Sequence, residues 1–228
     1  MADSEIAMDA LNWDLVHLYN IDPQNFTIYL TSAPQSYQAE ERKIGGEPGV
    51  EYQASNQFIK NLHMLSSIDN TRPILVHMTI CGGNWDEGMA MFDNICACPN
   101  PVIILGHTHV ESMAAIILQA ADRRVLMPNS HMMIHDVSTS VSESCTAKEI
   151  ESRQDWHKQV IMPTAMRIYV DALKRGGKFA RWPVDKIGKM LRDCIDARGE
   201  LYLTAPEAVD WGFADAVFNA NNSTNFSL

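Results

Sequence analysis

Three apolar runs of strand length, separated by segments with helical spacing, restrict the fold of this chain more than any other feature. The runs occupy residues 73–80, 102–110 and 123–128, and the helical segments between them begin near Trp85 and Ser112. Strand–helix–strand order requires crossover connections, which are right-handed and give a mostly parallel sheet. The sequence therefore predicts an α/β fold, with any site at the carboxyl ends of strands.

The flanking segments extend this pattern into one domain over residues 1–228. Residues 33–50 are polar and rich in glycine and proline, which predicts a loop or insertion. The stretch 147–175 predicts a long helix that is broken or kinked near Pro163, because proline lacks an amide donor. The segment TAPEAVDWG predicts a short helix, with a capping box at its start and a glycine stop at its end.

Composition excludes two classes of partner. The chain has 28 acidic and 18 basic residues, a net charge of −10, whereas nucleic-acid binding requires a basic face. No apolar run reaches the roughly 20 residues of a membrane-spanning helix, and the polar start does not resemble a signal peptide. We expect neither nucleic acid nor membrane as a partner, and a cytoplasmic location.

The cysteines and histidines do not form a recognisable metal-binding pattern. The five cysteines have no regular spacing, which suits reduced thiols in a reducing compartment. Cys96 and Cys98 lack the two-residue gap of zinc knuckles, and His107 and His109 have no third ligand beside them. We therefore expect no metal and no cofactor.

Three short motifs at predicted strand ends carry the candidate chemistry. Ser112 lies at the first turn of a helix, where free amides such as that of Met113 would stabilise an oxyanion. Gly83 lets the backbone approach a substrate closely and offer a second amide. His135 could accept the Ser112 proton, because a serine alone is a weak nucleophile.

A histidine base also needs an acceptor that fixes its tautomer. Asp136 should point to the opposite face of its strand, so Glu200, from a distant segment, is the better candidate. Each residue also has a structural interpretation: Ser112 as a helix cap, His135 as a core histidine and Glu200 as a surface carboxylate. Spacing alone leaves these interpretations open.

The chain resembles the proteolytic subunit of the Clp protease in four segments, which occur in the order and spacing of that family. They are CGGNWDEGM, ESMAAIILQAA, VLMPNSHMMIHDV and LYLTAPEAVDWGFADAV. The resemblance extends from about Asp14 to Val217. It implies a fold related to the crotonases, a handle helix at 147–175 and a serine endopeptidase with a Ser-His-acid triad.

The resemblance also assigns roles, residue by residue. Ser112 corresponds to the nucleophile, His135 to the base and Glu200 to the acid of the triad. Gly83 and Met113 match the backbone donors of the oxyanion hole.

Several positions depart from the family pattern. Glu200 replaces the usual Asp, Glu111 precedes the nucleophile where a small residue is normal, Cys81 replaces a proline, and Asp136 stands where Gln is common. The connection around 174–185 is longer than the family norm. The drift suggests a divergent relative, and a phage is one candidate source.

The resemblance further implies a homo-oligomer of stacked seven-membered rings that meet through the handle helix. Its partner would be a AAA+ unfoldase, which alone uses ATP and feeds polypeptide substrates to the rings. A pocket lined by Met113 and Met132 is expected to favour an apolar residue before the cleaved bond. Two alternatives stay open: a catalytically inactive ring subunit or assembly factor, and a crotonase-type acyl-CoA enzyme. The acyl-CoA alternative needs no serine nucleophile, so Ser112 and His135 count against it.

Overall fold

Two β-sheets organise the part of the chain that the computed structural model describes, which is residues 14–31, 49–136, 145–221 and 226. The strands are β1 Ile21–Asp22, β2 Thr27–Leu30, β3 Ile74–Met78, β4 Val102–Gly106, β5 His109–Glu111, β6 Arg123–Leu126, β7 His131–His135, β8 Glu200–Thr204 and β9 Ala216–Val217. The larger sheet has the order β1-β2-β3-β4-β6-β9, and the smaller sheet has the order β5-β7-β8. Most of the loop expected at 33–50 lies outside the described residues.

The larger sheet confirms the predicted α/β class. All of its pairings are parallel except that of β1 with β2. Strand β4 is buried along its whole length, and β3 alternates between buried and half-buried residues. Continuous apolar runs of this kind are typical of parallel strands that are covered on both faces.

The predicted strand at 102–110 is two strands, which belong to different sheets. The chain leaves the larger sheet after Gly106 and enters the smaller sheet at His109. A Cβ atom on Gly106 would lie 2.6 Å from Val110 Cγ2 and 2.9 Å from Leu126 Cδ2, so any larger residue in this packed turn would force those side chains to shift. Ser112 therefore follows a strand of the smaller sheet.

Seven helices are described in full within these ranges, and a shorter helical segment lies at 14–19. They are α1 Tyr52–Ile68, α2 Trp85–Ala97, α3 Met113–Leu118, α4 Ala147–Trp156, α5 Met162–Arg175, α6 Val184–Arg198 and α7 Ala205–Trp211. Helix α7 begins at the predicted capping box of Thr204 and Glu207 and ends at Gly212, which has a left-handed conformation. In the described residues, no helix combines the length and apolarity needed to cross a membrane.

The stretch 147–175 is helical throughout, and the irregularity expected near Pro163 is a widened turn. Residues His157–Ile161 form a π-helical turn between α4 and α5, with the Met162 amide donating to the carbonyl of His157. Pro163 has no amide for the carbonyl four residues earlier, and a π turn accommodates that loss without ending the helix. Helix α4 has no buried residue, whereas α5 buries its apolar face.

A buried ion pair joins β6 to the segment that follows α7. The side chain of Arg124 is only 1% exposed, and its guanidinium donates to both carboxylate oxygens of Asp215. It also donates to the Gln119 side chain and the Gly212 carbonyl. Burial by itself would raise the pKa of Asp215, but the hydrogen bonds and charge of Arg124 outweigh it and hold that pKa below its ordinary value.

The face of the larger sheet that points away from the main core carries a small apolar cluster, formed by Ile103, Leu105 and Val125. Beside it, His77 Nδ1 lies 2.7 Å from His107 Nε2. Burial lowers the pKa of both histidines, and the charge of His107 lowers that of His77 further.

Candidate active site

Ser112 occupies a sharp turn between β5 and α3. Its φ of 54° is one that non-glycine residues seldom adopt, and its amide donates to the Met133 carbonyl at 2.8 Å. Ser112 occupies the N-cap position of α3, as the structural interpretation expected, but its side chain makes no capping bond to the helix, so the hydroxyl is not used as a cap. A strained strand-to-helix turn of this kind exposes a serine hydroxyl at a strand end.

His135 is the partner of that hydroxyl. It is the last residue of β7, and its Nε2 atom lies 2.7 Å from Ser112 Oγ. The parallel pairing of β5 with β7 brings the two strand ends together. At this distance, the hydroxyl can donate to a neutral imidazole, which is the geometry required of a general base.

The glycine pair after β3 packs directly against Ser112. A Cβ atom on Gly82 would lie 2.4 Å from Ser112 Cβ and 3.2 Å from the Met113 amide nitrogen, and one on Gly83 would lie 2.3 Å from the Val50 carbonyl oxygen. Side chains at either position would displace the backbone, because each would meet another part of the chain. The two glycines therefore permit the contact between this loop and the start of α3.

The hydrogen bonds around Gly83 direct its amide away from Val50. Val50 donates to the Gly82 carbonyl and accepts from the Asn84 amide, which makes a parallel bridge between Val50 and Gly83. In such a bridge the central residue's own N–H and C=O point away from the partner strand. Gly83 also lines the cavity beside Ser112, as does Met113, whose amide is the first of α3.

Glu200 lies on the strand beside His135 and is directly opposite to it in register. Opposed residues of an antiparallel pair share a face, with Cβ atoms about 4.5–5.5 Å apart. Glu200 is exposed, and its Oε2 atom accepts a hydrogen bond from the Tyr202 hydroxyl at 3.1 Å. That bond raises the pKa of Tyr202. In the described part of the chain, Glu200 and His135 are not joined by a hydrogen bond.

Another acidic residue and histidine, Glu111 and His131, lie near Glu200 and His135 and are in direct contact. Glu111 Oε1 lies 2.8 Å from His131 Nε2, with 21% and 42% of the two side chains exposed. Sequence reasoning placed Glu111 beside the nucleophile but missed its partner. Alternation predicts which side chains of one strand share a face. It does not predict which strands pair, and the pairing of β5 with β7 is what brings Glu111 near His131. Asp136, the neighbour of His135, is exposed.

A small cavity opens beside the Ser112 hydroxyl. Its volume is about 10 Å³, and its lining is mostly apolar: Gly83, Trp85, Ser112, Met113, Ile116, His135 and Tyr169. The expected contribution of Met113 is present. The expected contribution of Met132 is wrong, because that side chain is fully buried and lies on the opposite face of β7 from His135.

Within the described ranges, no group of three or more His, Cys, Asp or Glu side chains is arranged to hold a metal ion. No disulfide bond joins the cysteines of these ranges. The polar groups at the site are instead a hydroxyl, an imidazole and backbone amides.

A serine–histidine pair beside two backbone amides, on a mostly parallel α/β fold, is typical of acyl-transfer enzymes with a serine nucleophile. The family model described as Clp protease matches residues 31–221. The chain belongs to the Clp protease family.

Relatives with this description cover much of the chain at modest identity. The ATP-dependent Clp protease proteolytic subunit 1 of Chlamydia pneumoniae is 31% identical over 186 residues, which is 79% of this chain and 88% of the relative. Subunit 2 of Thermobifida fusca is 29% identical over 170 residues, 74% of this chain and 76% of the relative. Subunit 2 of Treponema denticola is 35% identical over 113 residues, 49% of this chain and little more than half, 56%, of that protein.

Proposed function

We propose that this protein is a serine endopeptidase that cleaves unfolded polypeptides and peptides through an acyl-enzyme. The observation that carries the proposal is the 2.7 Å contact between Ser112 Oγ and His135 Nε2. Membership of the Clp protease family supports the same activity.

In the first half of the reaction, Ser112 Oγ attacks the carbonyl carbon of the cleaved bond while His135 Nε2 takes the hydroxyl proton. The carbonyl oxygen becomes an oxyanion, and the amides of Gly83 and Met113 donate to it. His135 then gives its proton to the leaving amine as the C–N bond breaks. The product is an ester on Ser112 and a free amino terminus.

In the second half, a water molecule attacks that ester while His135 accepts its proton. The tetrahedral intermediate collapses, His135 returns the proton to Ser112 Oγ, and the acid product leaves. Glu200 would stabilise the imidazolium of His135 in both halves, by turning its carboxylate from Tyr202 toward Nδ1. Its position opposite His135 in the β7–β8 pair supports this role.

Assembly into rings is the second part of the proposal. The relatives are named as proteolytic subunits of an ATP-dependent protease, and this chain would form stacked seven-membered rings with a AAA+ unfoldase as partner. Helix α4 has no buried residue and carries Trp156 with 60% of its surface exposed. Contact with a second ring through this helix would cover Trp156.

The proposal also includes a cytoplasmic location and a reaction that uses no metal or organic cofactor, with ATP consumed only by the unfoldase. Neither nucleic acid nor membrane is a partner in this account, and the net charge of −10 supports the first of these exclusions.

Peptide hydrolysis and light scattering test the two parts separately. The full chain should cleave short unstructured peptides and elute as an oligomer, while Ser112→Ala should assemble normally but lose turnover. An oligomer without Ser112-dependent turnover would support the inactive ring subunit instead. A stable monomer with full peptidase activity would contradict the ring assembly. Binding of an acyl-CoA without peptide cleavage would support the crotonase-type alternative.

A further inference from the structure

The cavity beside Ser112 is narrow because two aromatic side chains form its walls. Trp85 and Tyr169 line it together with Ile116 and Met113. Its volume of about 10 Å³ is roughly what a single water molecule needs. A cavity this narrow favours a small side chain, such as that of Gly, Ala or Ser, over a branched or aromatic one.

The position of the cavity makes it the site for the side chain that precedes the cleaved bond. In the proposed reaction, the carbonyl carbon lies at Ser112 Oγ and its oxygen points to the amides of Gly83 and Met113. The cavity is bounded by these same groups and by His135. The side chain on the carbonyl-bearing residue can therefore enter this cavity.

Two of the walls are fixed by packing. Tyr169 is 2% exposed and meets Phe213 edge to face, with ring centroids 5.9 Å apart. Met113 lies so close to α2 that a Cβ atom on Gly88 would come within 2.2 Å of its Cγ atom. Neither side chain can move outward without displacing its neighbour, because packed interiors have little free volume.

Trp85 is the more exposed of the two aromatic walls of the cavity. It is the first residue of α2, and the cap residue before it, Asn84, accepts hydrogen bonds from the amides of Asp86 and Glu87. The cap fixes the backbone at Trp85, whereas its ring is only partly buried. Removal of the indole would thus enlarge the cavity.

We infer that Trp85 restricts this enzyme to peptides with a small residue, Gly, Ala or Ser, before the cleaved bond. The inference rests on the proposed peptidase function and names the substrate class of that site. It replaces the expectation from sequence, which was an apolar residue at this position. A pocket that rejects larger side chains by volume discriminates by about tenfold or more per added group.

The test uses quenched-fluorescence peptides that differ only in that residue, Ala, Leu or Phe, with the cleaved bond located by mass spectrometry. The wild-type protein should cleave the Ala peptide with a kcat/KM about tenfold or more above that of the Leu peptide. Trp85→Ala should bring the Leu peptide to at least parity with Ala, and Trp85→Leu should shift the ratio in the same direction by less. Trp85→Leu keeps an apolar side chain at the start of the helix. It therefore still tests the inference if Trp85→Ala fails to fold.

Trp182→Ala is the matched control. Trp182 lies in the connection between α5 and α6 and packs edge to face on Phe179, with ring centroids 4.9 Å apart. Its loss should lower stability but leave the Ala/Leu ratio unchanged. Cleavage that depends on Ser112 but favours Leu or Phe in the wild type, or a ratio unmoved by both Trp85 variants, would overturn the inference alone. Absence of any Ser112-dependent cleavage would overturn the proposed function together with it.

Discussion

Glu200 lies directly opposite His135 in the β7–β8 pair, yet its carboxylate accepts a hydrogen bond from Tyr202 at 3.1 Å. Its cross-strand position puts Glu200 on the same face of the sheet as His135. Its bond to Tyr202 is at the exposed surface, so the carboxylate can rotate toward His135. If Glu200 completes the triad, its charge must act on His135 during the reaction and matter little for substrate binding.

Replacement of Glu200 by Gln keeps the size of the side chain and removes its charge. We expect Glu200→Gln to lower kcat by about 10²–10⁴-fold with KM nearly unchanged, because the imidazolium of His135 loses its stabilising partner. Asp136→Asn is the control and should have a much smaller effect, since Asp136 is exposed and adjacent to His135 on the strand. Steady-state kinetics on one peptide measures kcat for both variants. A larger loss of kcat in Asp136→Asn than in Glu200→Gln would show that Glu200 is not the acid of the triad.

The Glu111–His131 pair should protect the site from the charge of Glu111. His131→Ala would release a carboxylate on the residue next to Ser112, where it opposes the developing oxyanion. We expect kcat/KM to fall several-fold in His131→Ala and to recover in the double variant with Glu111→Gln. If the double variant is no faster than His131→Ala, the charge of Glu111 is not the cause of the loss.

The Arg124–Asp215 pair should be important for stability. Asp215→Ala leaves the buried guanidinium of Arg124 without its carboxylate, so we expect the free energy of unfolding at pH 7 to fall by about 3–5 kcal/mol. Asp210→Ala, which breaks the exposed pair with Lys178, is the control and should cost about 1 kcal/mol or less. Urea denaturation measures both.

The lowered pKa of Asp215 gives this pair a pH dependence of known sign. Its stabilisation is present above the ordinary carboxyl value of 3.8 and is lost as the pH falls through the lower pKa of the folded state. The difference between the wild type and Asp215→Ala should therefore shrink in strong acid. A difference that stays constant down to the folded pKa and beyond would contradict the assignment.

The His77–His107 pair should weaken the fold at mildly acidic pH. The pKa of each histidine is lowered by burial, so the unfolded chain binds protons more readily than the folded chain below about pH 6.5. Thermal unfolding should show a larger loss between pH 7.5 and 5.5 in the wild type than in His77→Phe, which can keep the stacking with Tyr29. Equal losses in the two proteins would show that the pair does not control the acid response.

Much of the fold could be predicted from the sequence because the buried parallel strands are continuous apolar runs. The same signal failed at 102–110, where apolar residues continue through the turn at Gly106 and conceal the passage from one sheet to the other. The turn at that passage is tightly packed, because a Cβ atom on Gly106 would meet the side chains of Val110 and Leu126, and this packing is set by the whole fold. Pattern rules describe one segment at a time and cannot supply such contacts.

For the site too, the sequence predicted some of the residues but not all of their contacts. The sequence placed Ser112, His135 and Gly83 at strand ends, and parallel topology predicts that such ends converge. Strand register determines the contact between Glu111 and His131. Helix packing determines that Trp85 and Tyr169 line the cavity. Neither could be predicted from spacing, because the partners lie in separate segments.

The most direct measurement is covalent labelling of the intact protein with a fluorophosphonate, followed by mass spectrometry of the peptides. We predict one adduct per chain, on Ser112, with none in Ser112→Ala and with labelling slowed by orders of magnitude in His135→Ala. A small alkyl fluorophosphonate fits the narrow cavity, so the wild type should react readily. Labelling of Ser112→Ala at the wild-type rate, or a folded wild-type protein that never reacts, would contradict the claim that Ser112 is a nucleophile activated by His135.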